Sequence, residues 1–157
     1  MSAPALVALF KRKGLRLTTA ESCTGGLVAG AVTAVPGSSA VFTHGFITYA
    51  NEAKTQMLGV PEAMLGAHGA VSAEVARAMA EGARARSGAD YGVSVTGVAG
   101  PDGGSAEKPV GTVWFGLAGP DGTTAQHQLF QGDRAEIRAQ AVAFAISLLE
   151  QAGVMAA

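Results

Sequence analysis

Apolar and polar positions along the chain alternate between helical and extended patterns. Leu6, Leu9 and Phe10 recur at helical spacing within Ala3–Lys13, and Gly14 ends that run. Leu15–Ala20 reads as a short strand, Glu21–Gly26 as a turn, and Leu27–Val35 as a buried helix stopped by Pro36 and Gly37. Val41–Ala50 is rich in β-branched and aromatic residues with apolar side chains on both faces, which predicts a central strand. Asn51 is the expected N-cap of a helix ending at Leu58. Ser72 caps the next helix, with Val75, Ala76, Met79 and Ala83 inward and Glu74, Arg77, Glu81 and Arg84 on a solvated face. Tyr91–Thr96 predicts a strand, and Gly97–Gly111 a loop dense in Gly and Pro. Thr112–Ala118 and Thr124–Phe130 then form a hairpin around Gly119–Gly122. Asp133 and Glu136 make a capping box for a last helix whose inward stripe holds Ile137, Ala141, Phe144 and Leu148. Strands alternating with helices predict one α/β domain over residues 1–157, a three-layer α/β/α sandwich on a mixed, mainly parallel sheet.

Composition narrows the class. Of the 157 residues, 48% are hydrophobic and 15% charged, against roughly 25% charged in an average soluble protein. That apolar content offsets chain entropy and excludes disorder. A net charge of −1 and a pI near 6.3 provide no basic footprint, so no nucleic-acid or membrane partner is expected. No apolar run reaches the length of a spanning helix, and the first Lys and Arg follow the apolar stretch rather than precede it, unlike a secretory signal. Cys23 stands alone and no Cys/His cluster has zinc spacing, so neither a disulfide nor a metal is expected. The expectation is a cytoplasmic domain without a cofactor. Its few charges and many Ala, Gly and Val residues favour an apolar surface patch and hence a homodimer or higher homo-oligomer.

Two glycine-rich turns follow predicted strands, Glu21–Gly26 and Gly97–Gly104, where open α/β sheets bind ligands. Neither carries a phosphate-loop or dinucleotide fingerprint. Ser22, Cys23 and Thr24 lie where strand passes to helix, ahead of Gly25 and Gly26, so a hydroxyl nucleophile there would have helix N–H groups at hand for an oxyanion. The plainer alternative is that Ser22 or Thr24 only caps the helix. His44, His68 and His127 are scattered and form no Ser/His/Asp set. Lys54, at N3 if Asn51 is the cap, meets the positive end of a helix dipole, which together with burial favours a neutral amine able to act as a base. The alternative is an exposed Lys54 with no role. Cys23 is a rival nucleophile, since a thiol at a helix N-terminus can ionise readily.

Five blocks, in order, resemble the CinA C-terminal domain family. They are Thr19-Ala20-Glu21-Ser22-Cys23-Thr24-Gly25-Gly26, Gly45–Lys54 with its Asn51-Glu52-Ala53-Lys54, His68–Ser72, Gly97–Gly104 continuing through Lys108–Val113, and Gly132-Asp133-Arg134. The resemblance runs from about Thr18 into the final helix and is to the form without the N-terminal molybdopterin-binding-type domain that many relatives carry. It implies hydrolysis of the carboxamide of nicotinamide mononucleotide to nicotinate mononucleotide and ammonia, without a metal, in pyridine-nucleotide salvage. It also implies Ser22 as nucleophile and Lys54 as general base, through an acyl-enzyme. Supporting roles would fall to Tyr49, Thr96, Cys23, Gly25 and Gly26. For the phosphate of this small-molecule substrate, the candidates are Ser38, Ser39, Thr96, Gly97, Arg134 and Arg138, while Asp102 reads as a turn residue. A non-catalytic, dimeric nucleotide-binding module is the alternative.

Overall fold

The computed structural model describes residues 2–157. Five strands, β1 (Leu17–Glu21), β2 (Phe42–Ile47), β3 (Tyr91–Gly97), β4 (Thr112–Gly119) and β5 (Gly122–Leu129), form one sheet in the order β2-β1-β3-β4-β5. β1 pairs in parallel with both β2 and β3, and the hairpin adds antiparallel pairings of β4 with β3 and β5 with β4. Only β4 therefore runs against the others, and the mixed, mainly parallel sheet is as expected. Helices α1 (Ala3–Lys13), α2 (Leu27–Thr33) and α6 (Arg134–Met155) cover one face; α3 (Asn51–Leu58), α4 (Glu62–His68) and α5 (Ala73–Ser87) cover the other.

Each face has its own core because side chains alternate along the strands. Leu17, Val93, Val95, Val113 and Phe115 meet Leu6, Phe10, Ile137 and Leu149 on the first face. On the second, Ala20 meets Val75, Met79, Ala83 and Leu58. There α5 lies almost directly on the sheet backbone: a Cβ at Gly116 would collide with the Ala76 carbonyl. Ser94, fully buried, fills the remaining gap by donating to Ala76 O at 2.6 Å and accepting from Gly116 N at 3.0 Å. The first and last helices are tied together. Lys13 Nζ donates to Gly153 O, Val154 O and Ala156 O, carbonyls at and just beyond the end of α6 where helical bonding runs out.

Four local expectations are corrected. The strand expected over Val41–Ala50 is β2, and it lies at the sheet edge, not its centre. Its apolar residues serve both faces only in part: Phe42 packs on the first core and Phe46 on the second, each half-buried, and Ile47 is 53% exposed. Ala50, in extended conformation, is the N-cap of α3, so Asn51 is already the first helical residue. In α2 only Val28 and Val32 are buried, and Leu27 is 44% exposed. Helix α4, only seven residues long with Gly66 inside it, is too short to give a clear period and was not anticipated. No helix is long and apolar enough to cross a membrane among the described residues.

Candidate active site

β1 passes through α2 to β2 on one side, while β2 passes through α3–α5 back across β1 to β3. The carboxyl ends of β1 and β3 thus flank the point where the chain's direction of winding changes, the usual place for a ligand crevice in such sheets. A cleft of about 320 Å³ opens there, lined by Ser22, Cys23, Tyr49, Lys54, Thr96, Gly97 and Arg134 among others.

Ser22 is the first residue beyond β1. Its N–H donates to Val95 O at 2.9 Å, which fixes its backbone to β3. Lys54 enters from α3 with no exposed surface, and its Nζ lies 3.1 Å from Ser22 Oγ, 2.9 Å from Thr48 O and 3.0 Å from Tyr49 O. It has no carboxylate partner among the described residues. Burial therefore lowers its pKa from the ordinary lysine value, with the nearby Cys23 opposing the change. All three contacting oxygens accept from the amine, and the Ser22 hydroxyl in turn reaches Tyr49 O at 3.4 Å; a neutral amine would keep the two carbonyl bonds and turn its lone pair to that hydroxyl. The expected helix position needs correction, since with Ala50 as cap Lys54 is the fourth residue of α3; desolvation is the main influence on it.

The Ser22–Gly26 turn is held from beneath. Glu21, 1% exposed, accepts from Thr24 Oγ1 at 2.7 Å, Val28 N at 2.8 Å and Ala29 N at 3.0 Å. The helix N–H groups expected to serve an oxyanion are thereby occupied. The Cys23 N–H faces its own thiol at the cleft wall, and the Thr24 N–H, which has no protein acceptor among the described residues, is buried behind it. Gly26, at φ 107°, makes the entry into α2 without a side-chain cap. The Cys23 thiol is pushed up to about 11 by burial, so it stays protonated at neutral pH, contrary to the readily ionised thiol considered from its position.

Across the cleft, Arg134 at the first position of α6 donates to Gly100 O at 2.7 Å and to Tyr49 Oη at 3.1 Å. Tyr49 is 61% exposed, and Thr96 Oγ1 donates to Ala70 O at 2.9 Å. Ser22, Lys54, Tyr49, Cys23, Thr96, Gly97 and Arg134 thus come together, with Gly25 and Gly26 in the adjoining turn. Ser38, Ser39 and Arg138 do not line the cleft. The serines lie on the Ser38–Ala40 3-10 turn, and Arg138 grips the back of the Ser22 turn by donating to Cys23 O and Thr24 O. Sequence reasoning missed Glu21, Thr48, Asn51 and the Ala70–Val71 wall. Only Glu21 carried a signal, an acidic residue ending an apolar strand before a glycine turn. Among the described residues no three His, Cys, Asp or Glu side chains converge as metal ligands would.

A family model, the CinA C-terminal domain, matches residues 2–152. A CinA-like protein of Citrifermentans bemidjiense is 56% identical over 133 residues, covering 85% of this chain but 32% of that protein, so the chain spans about a third of such relatives. The nicotinamide-nucleotide amidohydrolase PncC of Escherichia coli K12 is 55% identical over 143 residues, covering 90% of this chain and 87% of that enzyme. The crystal structure of a competence/damage inducible protein from Agrobacterium tumefaciens superposes with a TM-score of 0.91 at 47% identity, over 98% of this chain and 93% of that one.

Proposed function

The chain belongs to the CinA C-terminal domain family, and from that premise we propose that it is a cytoplasmic, metal-independent amidohydrolase converting nicotinamide mononucleotide to nicotinate mononucleotide and ammonia. The observation that carries the reading is the caged contact of Lys54 Nζ with Ser22 Oγ at 3.1 Å in the wall of the cleft. Neutral Lys54 takes the Ser22 proton as the oxygen attacks the carboxamide carbon. The Cys23 N–H, in the cleft wall, receives the oxyanion. The lysine's proton passes to the leaving amine, ammonia departs, and an ester to Ser22 remains. Water, deprotonated by Lys54, then cleaves that ester to the carboxylate.

Arg134 is the cation of the cleft and takes the substrate phosphate, beside Gly97 and Thr96. Tyr49, braced by Arg134, offers its ring to the pyridine. Ser38, Ser39 and Arg138 are not part of this assignment.

Ammonia release from nicotinamide mononucleotide, with and without a chelator, tests the reading. Release that resists the chelator and is lost in Ser22→Ala supports it. A folded wild type that binds the nucleotide without releasing ammonia makes the chain a binding module instead.

A further inference from the structure

Glu21 is a carboxylate buried to 1% exposure, with no cation bonded to it and no step in the chemistry above. Its two oxygens are fully engaged by Thr24 Oγ1, Val28 N and Ala29 N. Gly26 provides no side-chain cap to α2, so a residue seven positions before Val28 does the capping. The arrangement closes the Ser22–Gly26 turn into a ring: Glu21 ends β1, and its side chain holds the start of α2, at the turn's other end.

The main chain of Glu21 closes a second ring. Its carbonyl accepts from Thr48 N at 2.9 Å, and Thr48 O in turn accepts from Lys54 Nζ at 2.9 Å. Lys54 reaches Ser22 Oγ, and Ser22 is bonded covalently to Glu21. Nucleophile and base are thus located relative to one another through a single residue. Arg138 completes the hold from outside by donating to Cys23 O and Thr24 O.

We propose that Glu21 is the positioning residue of the Ser22–Lys54 pair, its carboxylate fixing the Ser22 turn so that the hydroxyl stays in line with the amine. This rests on the reading of Ser22 as nucleophile but not on the identity of the substrate. A loosened turn displaces Ser22 Oγ and admits water around Lys54, and a displacement of 1 Å at a reacting centre costs up to about 100-fold in rate.

The test is the rate at which a fluorophosphonate labels Ser22, followed by intact mass from pH 6 to 10.5, in the wild type, Glu21→Gln and Thr24→Val. In Glu21→Gln an amide N–H₂ faces the Ala29 N–H, so one capping bond becomes a repulsion while size is kept. The expected result is labelling slowed at least about tenfold, with its lysine limb moved to higher pH as water relieves the desolvation of Lys54. Thr24→Val, which removes one of the three Glu21 partners without touching the helix cap, slows labelling in the same direction and by less. It keeps the proposal testable should Glu21→Gln fail to fold.

A limb moved to lower pH overturns the proposal, because that is what loss of a negative charge acting through space on Lys54 would give. So does a rate that falls only with the fraction of folded protein, the limb unmoved, or a Thr24→Val enzyme that labels like the wild type. Wild type that labels at Ser22 yet releases no ammonia from nicotinamide mononucleotide overturns the substrate reading and leaves the positioning role standing. Wild type that does not label at Ser22 overturns both.

Discussion

Replacing Lys54 with methionine keeps the aliphatic stem inside the protein and deletes only the amine. Three contacts go with it, to Ser22 Oγ, Thr48 O and Tyr49 O. An ordinary lysine near pH 7.5 is neutral in about one molecule per thousand, and each unit by which burial lowers its pKa raises that fraction tenfold. The wild type's kcat/KM for ammonia release should therefore climb about tenfold per pH unit and level off at a pH below 10.5, the lysine's ordinary value. Lys54→Met should lose roughly 100- to 10,000-fold and have no such limb.

Stability gives an independent reading of the same amine. Because its folded pKa is lowered, the unfolded chain binds more protons between that lowered value and 10.5. The free energy of unfolding therefore rises with pH across that window, at up to about 1.4 kcal/mol per unit. Urea titrations of the parent and Lys54→Met, both in a Cys23→Ala background, should diverge there, with the parent gaining stability as pH rises. Parallel curves, or a methionine variant that keeps the activity limb, would refute the role assigned to Lys54.

Cys23→Ala should retain activity within about threefold, because burial holds that thiol protonated and its rate contribution as a nucleophile is absent. The same thiol, raised from 9.0 to about 11, makes the folded state the stronger proton binder between those values. The wild type should accordingly lose up to about 3 kcal/mol of stability relative to Cys23→Ala as pH passes through that range, readable by urea titration. Arg134→Gln should raise KM for nicotinamide mononucleotide at least about tenfold and KM for the phosphate-free riboside by less, since both lose the brace on Tyr49 but only the first loses a phosphate partner, as steady-state kinetics on both substrates would show. Gly116→Ala should lower stability by about 1–3 kcal/mol in chemical denaturation, since its methyl meets the Ala76 carbonyl under α5. With Leu27, Ile47 and Tyr49 all exposed, sedimentation should find a dimer or higher oligomer, and a monomer at micromolar concentration would remove that expectation.

Most of the layering was legible in the sequence because each signal was local. The caps at Ser72 and at Asp133 with Glu136, the hairpin turn, and the inward stripe of α5 all lie within a few residues of what they determine. What escaped depends on partners far along the chain. Whether β2 lies at the centre or the edge is set by which strands flank β1, and an apolar run reads the same in either place. Asn51 resembles a cap, but Ala50 takes the extended geometry that a cap needs. At the site, the Ser22–Lys54 pair was accessible through motif and helix-terminus chemistry together, although burial proved the main influence on the amine. Arg134 and Arg138 illustrate the limit: four residues apart on one helix and alike in sequence, they face the cleft and the back of the Ser22 turn respectively.

The bonds from Lys13 to the carbonyls at the end of α6 have a consequence for synthesis on the ribosome. Within these residues α1 is made well before α6, yet α6 completes the surface it packs on, so Leu6 and Phe10 wait through most of the domain's synthesis for Ile146 and Leu149. Ser22 and Lys54 are likewise made early, while Arg134, Arg138 and the closing apolar stripe arrive only at the end. The nascent chain thus carries the Ser22 hydroxyl well before it has the groups that brace and enclose it. Closure of that face is deferred until α6 has been made, and a stop codon early in α6 yields a chain with one open apolar face for chaperones and proteases rather than a weakened enzyme.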